Sequence, residues 1–329
     1  MTGVPSAHSA PLFPVILAGL LKVFGDGPGF SFSVVALEIV IQWTIILLLP
    51  VVSKRLLKSE WIGYCAAAVL IPANAISLGW ESSAGAVGLE VAAIATVGPL
   101  VSGSLMGLGA LLSPMVGLAI FVMHFRWNRG LALSLIVAAL WCSPWTIRNY
   151  RVFHRLIPIR DNLGLEVRLS YNPFATVSMA DNRISFFTYD PVANPRLSPD
   201  VARLGEPAFY SGRGSDGWEW IRSNPQTSLK LAFRRFVAYW FPTNQPLLGI
   251  LTGFSLLGLW LSRPNAGLMR LALALWVIFP LPYYLIQSST RYRAPTLWFT
   301  ALLAGALISK AVEFSVRDVE SAAPDATRQ

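Results

Sequence analysis

Long apolar runs separated by short polar interruptions occupy most of the chain, at 32–51, 61–79, 84–98, 102–125, 130–145, 245–261, 268–286 and 294–312. A helix needs about 20 apolar residues to cross about 30 Å of hydrocarbon, and several of these runs approach that length. Backbone groups in hydrocarbon must be satisfied within the segment, so the spans are expected to be helical. The run 102–125 contains Ser113-Pro114, and proline ends or kinks a helix at the preceding residue, so this run is read as two short helices. The pattern predicts an all-α polytopic membrane protein with about nine transmembrane helices. Residues 11–24 are apolar but span only about 21 Å as a helix, and are expected to lie on or dip into the membrane.

One stretch breaks the pattern. Residues 146–235 carry turn signals such as Tyr171-Asn172-Pro173, Asp190-Pro191, Asn194-Pro195 and Ser211-Gly212-Arg213-Gly214. Alternating pieces at 164–170 and 184–189 read as strands, giving one mixed α/β external loop domain. At 228–242, Leu229, Phe233, Val237 and Trp240 fall near one helical face with Lys230, Arg234 and Arg235 off it, the pattern of an interfacial helix. The organisation expected is an external tail and interfacial helix (1–31), six spans (32–145), an external, periplasmic domain (146–244), three spans (245–312) and a disordered cytoplasmic tail (313–329).

Composition strengthens the membrane reading: 54% of the 329 residues are hydrophobic and 13% charged, with mean hydropathy +0.54, against about 25% charged in soluble domains. The net charge of +9 does not point to nucleic acid, because half of the 26 Lys and Arg lie within the one polar stretch, interleaved with acids. Anionic lipid or phosphate is the expected partner. Lys54, Arg55 and Lys58, then Arg126 and Arg129, then Arg263 and Arg270, then Lys310 and Arg317 flank the runs. Under the positive-inside rule all four groups are cytoplasmic, which puts Glu81 and the polar domain outside a bacterial cytoplasmic membrane. Cys65 and Cys142 fall in apolar runs near opposite faces, so no disulfide is expected between them.

No metal-ligand cluster, P-loop, dinucleotide fingerprint or nucleophile elbow is present in the sequence, and neither a metal nor another cofactor is expected. The candidate chemistry lies at the outer mouths of spans. Pro144-Trp145-Thr146-Ile147-Arg148-Asn149-Tyr150, followed by Arg160-Asp161-Asn162, offers guanidinium forks suited to phosphate oxygens. Arg291-Tyr292-Arg293-Ala294-Pro295 repeats that chemistry before the last run. As aromatic and arginine anchors at headgroup level, both segments have an equally ready structural explanation. Glu81 sits at an outer turn, and Glu38 and Glu90 lie a few residues inside their spans, where a carboxylate calls for a partner, a water-filled cavity or a proton.

These segments, with Ala10-Pro11-Leu12-Phe13-Pro14, Trp80-Glu81-Ser82, Leu112-Ser113-Pro114 and Pro158-Ile159-Arg160-Asp161-Asn162-Leu163-Gly164-Leu165, resemble bacterial glycosyltransferases of the GT-C class. The nearest group looks like the dolichyl-phosphate-mannose-protein mannosyltransferase and aminoarabinose-transferase relatives. The resemblance implies transfer of a sugar from a polyprenyl phosphate to an acceptor of unknown kind, with membrane lipids around the site and no nucleic acid. Substrate contacts are expected from Arg148, Asn149, Tyr150, Arg160, Asn162, Arg291, Tyr292 and Arg293, with Arg148 and Arg291 converging on one phosphate. In that class a first span and an acidic catalytic loop precede the Ala10-to-Pro14 segment. Residues 1–10 hold no Asp or Glu, so a fragment or a shortened homologue is expected, with Glu81 and Asp161 as stand-in catalytic acids. A non-catalytic lipid-binding subunit, a flippase or transporter, and an O-antigen ligase are the rival readings.

Overall fold

The structure is a computed structural model that describes residues 5–74, 80–94, 98–125, 129–262 and 266–322, with side chains described outside 73–74, 80–82 and 316–322. The first half is a succession of helices: α1 (Leu12–Phe24), α2 (Pro28–Leu57), α3 (Glu60–Asn74), α4 (Trp80–Ile94), α5 (Pro99–Leu112), α6 (Pro114–His124) and α7 (Arg129–Phe153). The polar domain follows, with α8 (Leu163–Ser170), α9 (Arg183–Tyr189), α10 (Ser198–Leu204), α11 (Glu206–Ser223) and α12 (Pro225–Trp240). The chain then returns through α13 (Pro246–Leu261), α14 (Ala266–Ala272) with a wider-wound turn at Leu273–Ile278, α15 (Leu281–Leu285) and α16 (Ala294–Ala322).

Among the described residues four helical stretches are long and apolar enough to cross a membrane: Pro28–Leu57, Arg129–Phe153, Ala266–Leu285 and Ala294–Ser315. The count of nine spans is not reached by length, because the remaining apolar helices hold 10–17 residues, which rise at most about 26 Å. The break expected at Ser113-Pro114 is present: Ser113 is extended (φ −156°, ψ 129°), and α5 and α6 fold back on each other as a hairpin, with Gly117 against Ala110 and Gly109 against Ile120. α7 runs eight residues past the boundary expected at 145, and α16 remains helical to Ala322 where a disordered tail was expected from 313. Outward faces of α2 and α7 leave Phe32, Leu47, Ile136 and Leu140 more than half exposed. A protein surface of that kind has its partner in hydrocarbon.

The mixed α/β expectation is overturned. Residues 164–170 and 184–189 lie in α8 and α9, and the described residues contain no strand beyond an isolated bridge between Ser178 and Ser288. In α8, Leu165 and Leu169 are buried, one helical turn apart, and in α9 Ser185 and Tyr189 repeat that spacing. An alternating run of this length satisfies both periods, and tertiary packing chose the helical one. The Ser211-to-Gly214 turn signal fails for the same reason: it lies within α11. There the glycines provide contact. A Cβ at Gly164 would meet the Tyr210 carbonyl oxygen at 2.1 Å, and one at Gly214 would meet the Gly164 Cα at 2.9 Å.

The expected amphipathic helix appears as α12, with Leu229, Phe233, Phe236 and Val237 exposed along one side. Arg235, expected among the solvated positions, is instead wholly buried on the opposite side. Gly164→Ala should therefore destabilise the domain by about 1–3 kcal/mol, the usual cost of forced overpacking. Gly212→Ala, where an added Cβ meets nothing within 4 Å on the same α11, should be neutral or stabilising by up to about 1 kcal/mol. Thermal unfolding of the two variants in detergent micelles checks the opposite signs.

Candidate functional site

The polar segment after α7 is held in place by the motif that precedes it. Asn149, wholly buried, donates from Nδ2 to the carbonyls of Ile157 (2.9 Å) and Ile159 (3.4 Å). Trp145 Nε1 donates to Ile159 O at 2.8 Å and Thr146 Oγ1 to Pro158 O at 2.9 Å. The chain leaving α7 is thus strapped back along the last turns of that helix. This delivers Arg160 and Asn162 to the top of the bundle, where Asn162 begins α8.

A second strap positions residues 286–293. Arg235 donates from Nη1 to Leu285 O (3.0 Å) and from Nη2 to Ser170 O (2.6 Å) and Thr176 O (3.0 Å), with its guanidinium 5.0 Å from the Tyr171 ring centre. Burial pulls the Arg235 guanidinium down to about 10. Asn182 Nδ2 donates to Gln287 Oε1 at 2.9 Å and to Leu169 O at 2.8 Å, while the backbone N–H of Gln287 donates to Ser170 Oγ at 3.0 Å. The end of α8, the loop after it and the loop before α16 are thereby fixed together.

Between the two straps lies a cavity of about 440 Å³, a size usual for small-molecule sites. Its polar lining is His8, Ser9, Ser113, Arg160, Asn162, Glu166, Arg291 and Tyr292, and its apolar lining includes Phe13 of α1, Val116 of α6, Phe279, Ile286 and Pro295 of α16. Tyr292 stacks on Tyr283, ring centres 4.4 Å apart and 14° from parallel, and Arg291 donates to the Tyr292 hydroxyl at 3.3 Å. Glu166 Oε1 accepts from Asn162 Nδ2 at 3.3 Å. Its Oε2 is shut off from solvent and makes no hydrogen bond, and the nearby Gln287 amide favours the carboxylate without reaching hydrogen-bonding geometry. Burial pushes the Glu166 carboxyl up, opposed by Arg160, His8, Arg291 and Gln287.

Of the residues singled out from sequence, Arg160, Asn162, Arg291 and Tyr292 line the cavity, while Arg148, Asn149, Tyr150, Asp161 and Arg293 do not. The expected convergence of Arg148 with Arg291 is replaced by that of Arg160 with Arg291. Arg148 lies 4.8 Å from the Trp145 ring centre and donates to Ser6 O (3.0 Å) and Asn149 Oδ1 (2.9 Å), so its fork is committed to the protein itself. Tyr150 is 58% exposed on the outward side of α7. Asp161 gives its backbone N–H to Ala7 O at 2.9 Å, and its carboxyl is pushed up by burial and by the nearby Glu206, against the pull of Arg155. Arg293, 1% exposed, points into the core and donates to Trp240 O at 3.0 Å and to Thr252 Oγ1. Glu81 falls in the first turn of α4, and its side chain lies outside the described residues. Glu38 accepts from Gln42 on its own helix at 3.3 Å, and Glu90 is fully buried with neither oxygen bonded.

Sequence reasoning missed Glu166 and His8. Reading 163–170 as a helix places Asn162 and Glu166 four residues apart on one face, which is the signal that would have found the acid. His8 arrives through contacts remote in sequence: the Ala7 N–H donates to Glu206 Oε1 at 2.6 Å, and His8 Nδ1 pairs with the Tyr210 hydroxyl at 3.0 Å. Among the described residues no group of three or more His, Cys, Asp and Glu side chains is arranged to hold a metal ion. No family model, curated protein or solved structure matches the chain.

Arg291 and Arg293, two residues apart, are expected to separate function from stability. Arg293→Ala should destabilise the protein by roughly 1.5–3 kcal/mol for each charge-assisted hydrogen bond lost, seen as a lower unfolding temperature. Arg291→Ala, at the exposed cavity rim, should leave that temperature nearly unchanged.

Proposed function

We propose that the chain is a GT-C-type membrane glycosyltransferase homologue that takes a polyprenyl-phosphate-linked sugar and transfers the sugar to an acceptor at the outer face of a bacterial cytoplasmic membrane. The observation that carries this reading is one cavity lined both by Arg160 and Arg291 and by the apolar Phe13, Val116, Phe279, Ile286 and Pro295. A lipid phosphate matches both linings, its anion meeting the guanidinium forks and its first prenyl units the apolar side chains. Glycosyl transfer asks in addition for cationic groups to hold the departing phosphate and a carboxylate to take the acceptor proton. Arg160 and Arg291 suit the first of these roles; Glu166 also lines the cavity, beside them, and is not assigned the proton-accepting part.

A second reading, a non-catalytic polyprenyl-phosphate-binding subunit, draws on the position of Asp161, which forms part of the support for the N-terminal segment and does not line the cavity. Both readings share the lipid-phosphate site. On either, the domain 146–235 is external, because Lys54, Arg55 and Lys58 close α2, Arg129 opens α7 and Lys310 lies far along α16.

Undecaprenyl phosphate added to the purified protein should bind, and Arg160→Ala or Arg291→Ala should each weaken binding by about ten- to a hundredfold, since a charge-assisted bond is worth roughly 1.5–3 kcal/mol. Arg203→Ala, an exposed residue paired with Asp200, should change little. Isothermal titration checks the series, and equal affinities in all three variants would remove the site. A single cysteine at Ser211, on an exposed turn of α11, should react with an impermeant reagent from outside whole cells in a background lacking Cys65 and Cys142; reaction only in inverted vesicles would reverse the topology.

A further inference from the structure

The cavity already contains an acid of its own. Glu166 lines the same wall as Arg160, Arg291 and His8, and its Oε2 is closed off from water without a hydrogen bond. The charged and titratable groups around it come from every element that builds the polar lining. His8 belongs to the N-terminal segment, Arg160 to the strap before α8, and Arg291 and Tyr292 to the loop before α16. Tyr210 is contributed by α11, and beyond it lie Asp161 and Glu206. Neutral neighbours are Asn162, Gln287 and Ser113.

Burial favours the neutral acid at Glu166, and the cationic Arg160 and Arg291 with His8 oppose it, favouring the carboxylate. An incoming phosphate competes for those same cations. Its negative charge also enters a confined, poorly solvated space, where like charges repel strongly. Two anions cannot share Arg160 and Arg291 on the terms that one enjoyed. The least costly resolution is protonation of the carboxylate.

Building on the proposed lipid-phosphate site, we propose that Glu166 is the resident counter-anion of the cavity and that a phosphate bound between Arg160 and Arg291 drives a proton onto Glu166. The proton comes from bulk water and forms the Oε2–H bond; no other bond changes. Binding is then linked to pH through Glu166: the bound state holds one more proton on this residue than the empty state, so affinity falls as pH rises. The empty cavity then carries the acid's negative charge beside Arg160 and Arg291, and the occupied one carries the phosphate's charge there and a neutral acid.

The test uses the purified full chain and undecaprenyl phosphate, titrated calorimetrically between about pH 6 and pH 8 in buffers of different ionisation enthalpy, with Glu166→Gln beside the parent. The lipid's own phosphate titrates near pH 6, so the difference between the parent and Glu166→Gln is the quantity that matters. The parent should take up more protons per lipid bound than Glu166→Gln. Its affinity should fall more steeply with pH than that of Glu166→Gln, by up to about an extra tenfold per pH unit, and at pH 8 Glu166→Gln should bind more tightly than the parent. Infrared difference spectra of the parent give a second readout that needs no substitution: lipid binding should convert a carboxylate band into a protonated carboxyl band. Inorganic phosphate and undecaprenol separate the sources. Proton-linked binding of phosphate with no gain from the prenyl chain would support the Glu166 linkage and assign the site to free phosphate. Binding that depends on Arg291 but shows equal proton uptake in parent and Glu166→Gln would overturn the inference and leave the lipid-phosphate site standing. Failure of both phosphates to bind at any pH would overturn both.

Discussion

The buried guanidinium of Arg235 is the interaction on which the upper half of the molecule depends. Among the described residues it has no carboxylate partner; its two Nη atoms donate to the carbonyls of Leu285, Ser170 and Thr176, and its face meets Tyr171. Desolvating a cation costs several kcal/mol, and only convergent acceptors with an aromatic face recover it. Those acceptors come from three separate stretches of chain, so the cation is satisfied only when all three are in place. Removing it would leave three carbonyls, that of Ser170 in a buried bond, to be re-satisfied at once. The wall of the cavity contributed by the loop before α16 is therefore as rigid as this cluster.

Around that wall the site follows a division of labour between neighbouring arginines. Arg148 and Arg293 are consumed by carbonyls, a ring and a hydroxyl of the protein, whereas Arg160 and Arg291 face the cavity. Each pair of roles is built from one short segment. In one segment the buried Arg293 anchors the start of α16 beside Arg291; in the other Asn149, Trp145 and Thr146 hold the backbone that leads to Arg160. Precise aim matters because a planar fork discriminates by geometry as well as by charge. Asn149 does the same for the first strap that Arg235 and Asn182 do for the second, by occupying carbonyls that the turn leaves unpaired.

The position of Glu166 rests on an uninterrupted contact between two backbones. Gly164 of α8 and Gly214 of α11 meet with no side chain between them, which sets how close α8 lies to α11 and so the position of its first-turn acid within the domain. Small residues are what permit helices to approach this closely. The apolar lining of the cavity is set independently, by the extended Ser113 at the tip of the α5–α6 hairpin and by Pro295 opening α16.

The class of the molecule and much of its punctuation were legible in the order of residues alone. Apolar runs in a weakly charged chain have a single low-energy home, and Ser113-Pro114 breaks its helix by local sterics alone. The segments around Arg148–Asn162 and Arg291–Pro295 could be picked out as one region of chemistry, because arginines and aromatics beside proline at span ends are a local pattern. Which arginine faces a ligand and which faces the core emerged only from the packing of the helices. Arg291 and Arg293 differ by what they meet, Tyr292 in one case, Trp240 and Thr252 in the other, and no local signal distinguishes them. The same limit explains the failed strands and the failed turn. Residues 164–170 fit two periodicities, and Ser211 to Gly214 fits both a turn and a helix contact, until the surface of the opposing helix selects one. Those partners lie tens to hundreds of residues away, where local propensity carries no information about them.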